Sequence, residues 1–169
     1  MNKMVVVTGA TTGTGYCVAQ KFAANGYDVC ITSRDQARAQ EAAARLKAEN
    51  DGKIETFGYG LDEPQMAAMF DDLKQKGHLV STLVLVAANM GINMPNFLEV
   101  DFKDWIRVID TNIGWNFMFC RQAAKHMLQL GGGAIVVIGS VNGIRTTKNR
   151  SAYCTSKSGL HGLARNLAV

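Results

Sequence analysis

Val5-Val6-Val7-Thr8-Gly9-Ala10-Thr11-Thr12-Gly13-Thr14-Gly15 is the stretch on which the fold turns. The run Lys3 to Thr8 is short, apolar and largely β-branched, the composition of a parallel strand buried on both faces. It passes without a spacer into a turn with glycine at positions 9, 13 and 15, and helical character follows from Tyr16 to Asn25. Strand, glycine-rich turn and helix are what a pyrophosphate requires. Glycine lets the backbone come close, and the helix N-terminus offers free N–H groups at the positive end of its dipole. A plain tight turn carries the same glycines, so the flanking sequence decides.

That sequence repeats the alternation. Asp28 to Thr32 reads as a second strand after Gly26, a helix-ending glycine, and Arg34 to Asn50 as a long helix stopped near Asp51-Gly52. Ile54 to Gly58 reads as a third strand, Glu63 to Gln75 as a helix opened by Glu63-Pro64, and Ser81 to Ala88 as a fourth strand. Phe102 to Leu130 reads as one long helical segment closed by Gly131-Gly132-Gly133, and Ala134 to Gly139 as a fifth strand. Five strands joined by helices predict an α/β fold built on a doubly wound parallel sheet. No repeat, low-complexity tract or linker divides the 169 residues, so a single domain is expected.

Composition narrows the classes of function. A hydrophobic share of 47% with 19% charge is ordinary for a globular chain, and 17 glycines against two prolines place glycine at tight backbone positions. Eighteen basic and 14 acidic residues give a formal +4, with no basic run interleaved with aromatics, which points away from nucleic acid. Cys17, Cys30, Cys120 and Cys154 share no Cys-x-x-Cys spacing; they read as reduced thiols of a cytoplasmic protein, and no metal site is expected. The apolar run before Thr8 is too short for a signal peptide. Leu83 to Ala88 is too short to cross a bilayer, so no membrane partner is expected either.

A second constellation stands downstream. Ser140 follows the fifth strand, and Tyr153 and Lys157 are four residues apart. On a helix that spacing puts phenol and ammonium on one face, about 5–6 Å apart at Cβ. Such a pair suits proton transfer, although Tyr-x-x-x-Lys alone is common surface decoration.

Taken in this order, the motifs resemble those of the short-chain dehydrogenase/reductase family over essentially the whole chain, most nearly its 3-oxoacyl-[acyl-carrier-protein] reductase-like members. Thr8 to Gly15 matches Thr-Gly-x-x-x-Gly-x-Gly, and Asn112 in Asp110-Thr111-Asn112-Ile113-Gly114 matches the asparagine of the fourth helix. Ser140, Tyr153 and Lys157 match the serine and Tyr-x-x-x-Lys. The resemblance implies hydride transfer between NADP(H), with NAD possible, and a carbonyl or secondary alcohol. An alcohol releases hydride only as its hydroxyl proton leaves, which requires a base working near neutral pH. A free phenol, with pKa about 10, is a weak base there, and neighbouring cations favour its phenolate. Tyr153 is therefore read as the acid/base and Lys157 as its electrostatic partner. By resemblance Lys157 also holds the nicotinamide ribose, Ser140 hydrogen-bonds the substrate oxygen, and Asn112 positions a water. Simpler readings are a capping serine at Ser140 and a helix-bending residue at Asn112.

The same resemblance assigns the cofactor side to Gly9, Thr11, Thr12, Gly13, Thr14 and Gly15, with Asn89 bordering the cofactor and Asp62 at the position that meets the adenine amino group. Ser33 stands in place of the acid that binds the NAD ribose, and Arg34 follows it, which favours the 2′-phosphate of NADP; Asp35, two positions on, would reverse that reading. Ala88 and Thr14 depart from the family's usual asparagine and isoleucine. Trp105, Trp115, Phe117 and Phe119 lie where the family packs one subunit on another, so a homodimer or homotetramer is expected, with ordinary core as the alternative. Arg145, Lys148 and Arg150 are either an attraction for an anionic substrate or a solvated loop. The chain stops 12 residues past Lys157, inside a helical pattern, and is expected to be C-terminally incomplete. Two rival readings remain: a non-catalytic dinucleotide-binding protein or inactive fragment, and a methyltransferase on a similar scaffold.

Overall fold

The computed structural model describes residues 2–52, 55–60, 65–91 and 96–169. The chain divides into two compact units, the first made of residues up to Ala87 together with Phe119–Val136, the second of Ala88–Met118 and Val137–Val169.

In the first unit the elements run β1 (Asn2–Thr8), α1 (Gly13–Ala23), β2 (Asp28–Ser33), α2 (Gln36–Glu49), β3 (Thr56–Gly60), α3 (Gln65–Gln75) and β4 (His78–Leu85). The sheet has the order β3-β2-β1-β4-β5, where β5 is Ala134–Val137. β1 pairs in parallel with β2 and with β4, and β2 with β3. The doubly wound parallel sheet of five strands is therefore present. The chain winds outward from β1 to β3 and then returns past β1 to β4. The ends of β1 and β4 thus form the switch point, where α/β sheets open a crevice for ligands.

Why β1 is central is plain from its composition: Met4, Val5, Val6 and Val7 are all completely buried, as a strand covered on both faces requires. Val5 and Val7 join Ala19 and Ala23 of α1, Val29 and Ile31 of β2, and Ala42 and Leu46 of α2 in one core. Cys30 alternates with Val29 and Ile31 and so points to the opposite face, where its Sγ meets Met69 Sδ of α3 at 3.9 Å. Phe70 of α3 packs edge-on against Phe119 and His126, with ring centroids 6.3 and 5.5 Å apart.

Two strands differ from the sequence reading. β4 begins at His78 rather than Ser81, because pairing starts at Asn2↔His78 and Asn2 N–H donates to the Gly77 carbonyl at 2.9 Å. His78 is buried, 5.2 Å from the Phe57 ring centroid and 3.5 Å from Asp28 Oδ2, so a polar residue hides the strand's start. β3 lies two residues later than read; Ile54, like Glu63 and Pro64, is outside the described residues.

The second unit holds α4 (Phe102–Ile109), a π-helical turn (Asp110–Gly114), the start of α5 (Trp115–Leu130) and α6 (Ser151–Leu167), with 3-10 turns at Phe97–Glu99 and Val141–Gly143. The long helical segment expected from Phe102 to Leu130 is continuous, with one π-helical turn set into it. Polar side chains compete with the helical ladder there: Thr111 Oγ1 donates to the Arg107 carbonyl and Asn116 Nδ2 to the Asn112 carbonyl, both at 2.8 Å. A Cβ at Gly114 would lie 2.5 Å from Asp110 Oδ1, so a larger residue there would have to turn that exposed carboxylate aside. Trp105 stacks on Phe102 and Phe117 is exposed, whereas Phe119 belongs to the core. Among the described residues no helix is long and apolar enough to cross a membrane, and no cluster of His, Cys, Asp and Glu suits a metal ion.

Candidate active site

The glycine-rich turn is anchored by the residue that opens it. Thr8 is fully buried, and its Oγ1 accepts from Val86 N–H at 3.0 Å and Ala87 N–H at 3.1 Å, joining the ends of β1 and β4. Gly9 and Ala10 N–H both donate to the Thr32 carbonyl, at 2.9 and 3.3 Å, which ties in β2. Gly9 has φ +63°, and a Cβ there would stand 2.9 Å from Ala87 Cα; one on Gly15 would stand 2.4 Å from the Gly9 carbonyl oxygen. These two glycines let the turn close. Gly13 differs: φ is +57° and nothing lies within 4 Å of where its Cβ would be, so the open space is on this side.

Thr12 is the N-cap of α1 with an extended backbone, makes no side-chain cap bond, and is followed by a first turn without acidic residues. The N–H groups at the start of α1 keep their donor capacity, at the positive end of the helix dipole. Thr12 and Thr14 are exposed and Thr11 half-buried along the same turn. This donor set fits a pyrophosphate.

At the end of β2, Ser33 Oγ accepts from Asp35 N–H at 3.2 Å. Asp35 caps α2, its Oδ1 accepting from Arg38 N–H at 3.0 Å, while its Oδ2 lies 3.8 Å from Arg38 Nε. The carboxylate that would have reversed the cofactor reading is thereby engaged by its own helix. Arg34 is exposed and, among the described residues, makes no ion pair. Asp62 lies outside the described residues.

The second unit carries the proton-handling candidates. Tyr153 and Lys157 share one face of α6, with Lys157 Nζ 5.8 Å from the Tyr153 ring centroid. Lys157 is buried, and its Nζ donates to the Ile138 carbonyl at 2.8 Å, which leaves two N–H donors. Burial pushes its pKa below the ordinary lysine value. The folded chain therefore releases this proton at lower pH than the unfolded chain. Between the lowered value and about 10.4 the unfolded state holds the extra proton, so stability rises with pH across that window. Urea melts through the alkaline range are expected to show this rise relative to Lys157→Met; parallel curves would place the ammonium in solvent.

Ser140 Oγ accepts from Asn142 N–H at 3.2 Å, capping the Val141–Gly143 turn and leaving the hydroxyl proton free to donate. The turn is latched to α6: Ser158 Oγ donates to the Gly143 carbonyl at 2.8 Å, and a Cβ on Gly143 would lie 2.9 Å from the Lys157 carbonyl oxygen. The capping reading and the substrate-binding reading of Ser140 are thus compatible.

Asn112 is completely buried in the π turn, and its carboxamide is fully used. Oδ1 accepts from Asn89 N–H at 2.6 Å, while Nδ2 donates to the Asn89 carbonyl and to Ser156 Oγ, both at 2.9 Å. Ser156 Oγ donates in turn to the Tyr153 carbonyl at 2.7 Å. Asn89 Oδ1 accepts from Gly91 N–H at 3.0 Å, closing the loop in which Ala88 replaces asparagine. Ser156, inside the Tyr-x-x-x-Lys motif, was not singled out from the sequence; its signal was a small polar residue one position before the lysine.

A cavity of about 760 Å³ opens on another face of α6, lined by Cys154, Thr155 and Ser158 together with the loop holding Lys148 and Arg150. Of the three basic residues in that loop, Arg150 is occupied in part, donating to the Met90 carbonyl at 3.1 Å.

The first unit thus holds a parallel sheet with its switch point at a glycine-rich turn, and the second holds Ser140, Tyr153 and Lys157. The family profile described as short chain dehydrogenase matches residues 3–169, and the chain belongs to that family. It is 33% identical over 168 residues to a 3beta-hydroxysteroid dehydrogenase of Mediterraneibacter gnavus, covering 99% of this chain and 60% of that protein. It is 31% identical over 172 residues to a 3-oxoacyl-[acyl-carrier-protein] reductase of Homo sapiens, covering 99% of this chain and 69% of that one. Among solved structures, an actinorhodin polyketide ketoreductase with NADPH superposes with a TM-score of 0.85 at 27% identity, covering 98% of this chain and 64% of that chain. The chain therefore spans 60% to 69% of the length of these relatives.

Proposed function

We propose that this oxidoreductase transfers hydride between NADP(H) and a carbonyl or secondary alcohol, with Tyr153 as the acid/base. The observation that carries the reading is Lys157: a buried ammonium on the tyrosine's own helix face, fixed by the Ile138 carbonyl and 5.8 Å from the phenol ring. When bound, the nicotinamide supplies or accepts the hydride. Residues 9–15 would receive the pyrophosphate, and Asn89 would border the cofactor. Ser140 donates its hydroxyl proton to the substrate oxygen, orienting it. Tyr153 gives its phenolic proton to that oxygen in reduction and takes one back in oxidation, and Lys157 favours the anionic form through its charge while its remaining N–H donors serve the ribose. Asn112 acts by holding Asn89 and, through Ser156, the main chain of Tyr153. Two relatives are named for a hydroxysteroid and for a 3-oxoacyl group, the same functional-group pair approached from opposite sides.

The preference for NADP rests on Ser33, Arg34 and the engagement of Asp35 as a cap. Arg34→Asp is expected to move the ratio of NADPH to NADH affinity by about tenfold or more toward NADH, read by fluorescence titration; an unchanged ratio removes the 2′-phosphate role. We further assign the enzyme to the cytoplasm as a homo-oligomer, with the exposed Phe102 and Phe117 near the contact between subunits. Consumption of NADPH with a panel of 3-oxoacyl thioesters and ketosteroids tests the reaction. Tight NADPH binding with no turnover on any of them would identify a binding protein instead.

A further inference from the structure

One arginine outside every motif ties the glycine-rich turn to α2. Arg45 Nη2 donates to the Thr11 carbonyl at 3.4 Å and Nε to Tyr16 Oη at 2.9 Å, while the guanidinium carbon lies 4.1 Å from the Tyr16 ring centroid. Tyr16 Oη donates to Glu49 Oε1 at 3.1 Å, and Gln20 Nε2 to Glu49 Oε2 at 3.0 Å. The set joins the turn, the first turns of α1 and the last turns of α2. Each exposed polar contact alone is weak. A planar guanidinium stacked on a ring and bonded through two of its nitrogens, however, has little orientational freedom left. Across a planar trans peptide the carbonyl and the following N–H point opposite ways. A Thr11 carbonyl drawn toward α2 therefore keeps the Thr12 N–H directed away from α2.

We propose that Arg45 is a positioning residue for the dinucleotide: through the Thr11 carbonyl and Tyr16 it fixes the orientation of the peptide N–H groups that receive the pyrophosphate. This inference rests on the reading of residues 9–15 as the cofactor site. The contribution is one of shape. Lysine keeps the charge but neither stacks as a plane nor reaches two acceptors in a fixed fork, so it does not substitute.

The test is titration of the 169-residue chain with NADPH, followed by nicotinamide fluorescence, for wild type, Arg45→Met, Arg45→Lys and the control Lys47→Met, which removes a charge from α2 whose side-chain partner among the described residues is Glu55. Both Arg45 variants are expected to bind about fivefold more weakly with an unchanged melting midpoint, and the control within about twofold of wild type. Wild-type affinity in Arg45→Met, full rescue by lysine, or a loss of affinity matched by a fall in melting midpoint would each overturn the positioning role. A wild-type chain that binds no NADPH would remove the cofactor site itself, and the inference with it.

Discussion

Tyr153→Phe is expected to reduce turnover by about a thousandfold while NADPH affinity stays within about twofold of wild type. The substitution deletes one oxygen from a half-buried side chain whose hydroxyl, among the described residues, makes no hydrogen bond, so nothing structural is lost with it. On the proposed reading, what is lost is the proton donor. Ser140 can still orient a substrate oxygen on that reading, but an aliphatic hydroxyl is a far weaker acid than a phenol, and general acid–base catalysis is worth about 10² to 10⁴ in rate. Steady-state rates on the best ketone, with NADPH titration of the same preparation, measure both quantities. Turnover surviving within tenfold would assign the proton to another group.

Asn112→Leu is expected to cost about 3 kcal/mol or more of folding stability, because it strands several partners at once. The Asn89 N–H and carbonyl and the Ser156 hydroxyl lose a buried partner together. An unsatisfied buried polar group costs about 1–3 kcal/mol. Leucine fills a similar volume, so the loss reads polar satisfaction rather than a cavity. Urea denaturation measures it. Asn112→Asp separates the two halves of the side chain, since the oxygen facing Asn89 N–H is kept while the donor to Ser156 and to the Asn89 carbonyl is lost. A leucine variant as stable as wild type would show that these groups find other partners, and would remove the structural role of the carboxamide.

Much of this was legible in the chain. The β-branched run before Gly9, the spacing of the three glycines, and the four-position spacing of Tyr153 and Lys157 report local requirements, and local requirements are written in adjacent residues. What stayed hidden depends on partners distant in sequence. His78 reads as a loop residue until Asp28 and Phe57 surround it. The π turn is invisible to a 3.6-residue period, because the hydrophobic pattern continues on both sides of it and only Thr111, Asn112 and Asn116 reveal a break. Phe119 looks like its neighbours Trp115 and Phe117, yet it alone of the three is buried. Arg45 carries no signature at all: an arginine in an alanine-rich helix is ordinary until Tyr16 and Thr11 are brought beneath it.

Thr8 has one oxygen atom receiving two main-chain hydrogens. Valine has the same outline and a more favourable hydropathy, and by either measure the exchange looks harmless. It would nonetheless leave both amides of the neighbouring strand end without an acceptor, beside the glycine-rich turn. Serine is the smaller change in chemistry and the larger in shape, and its hydroxyl would keep an acceptor for both amides.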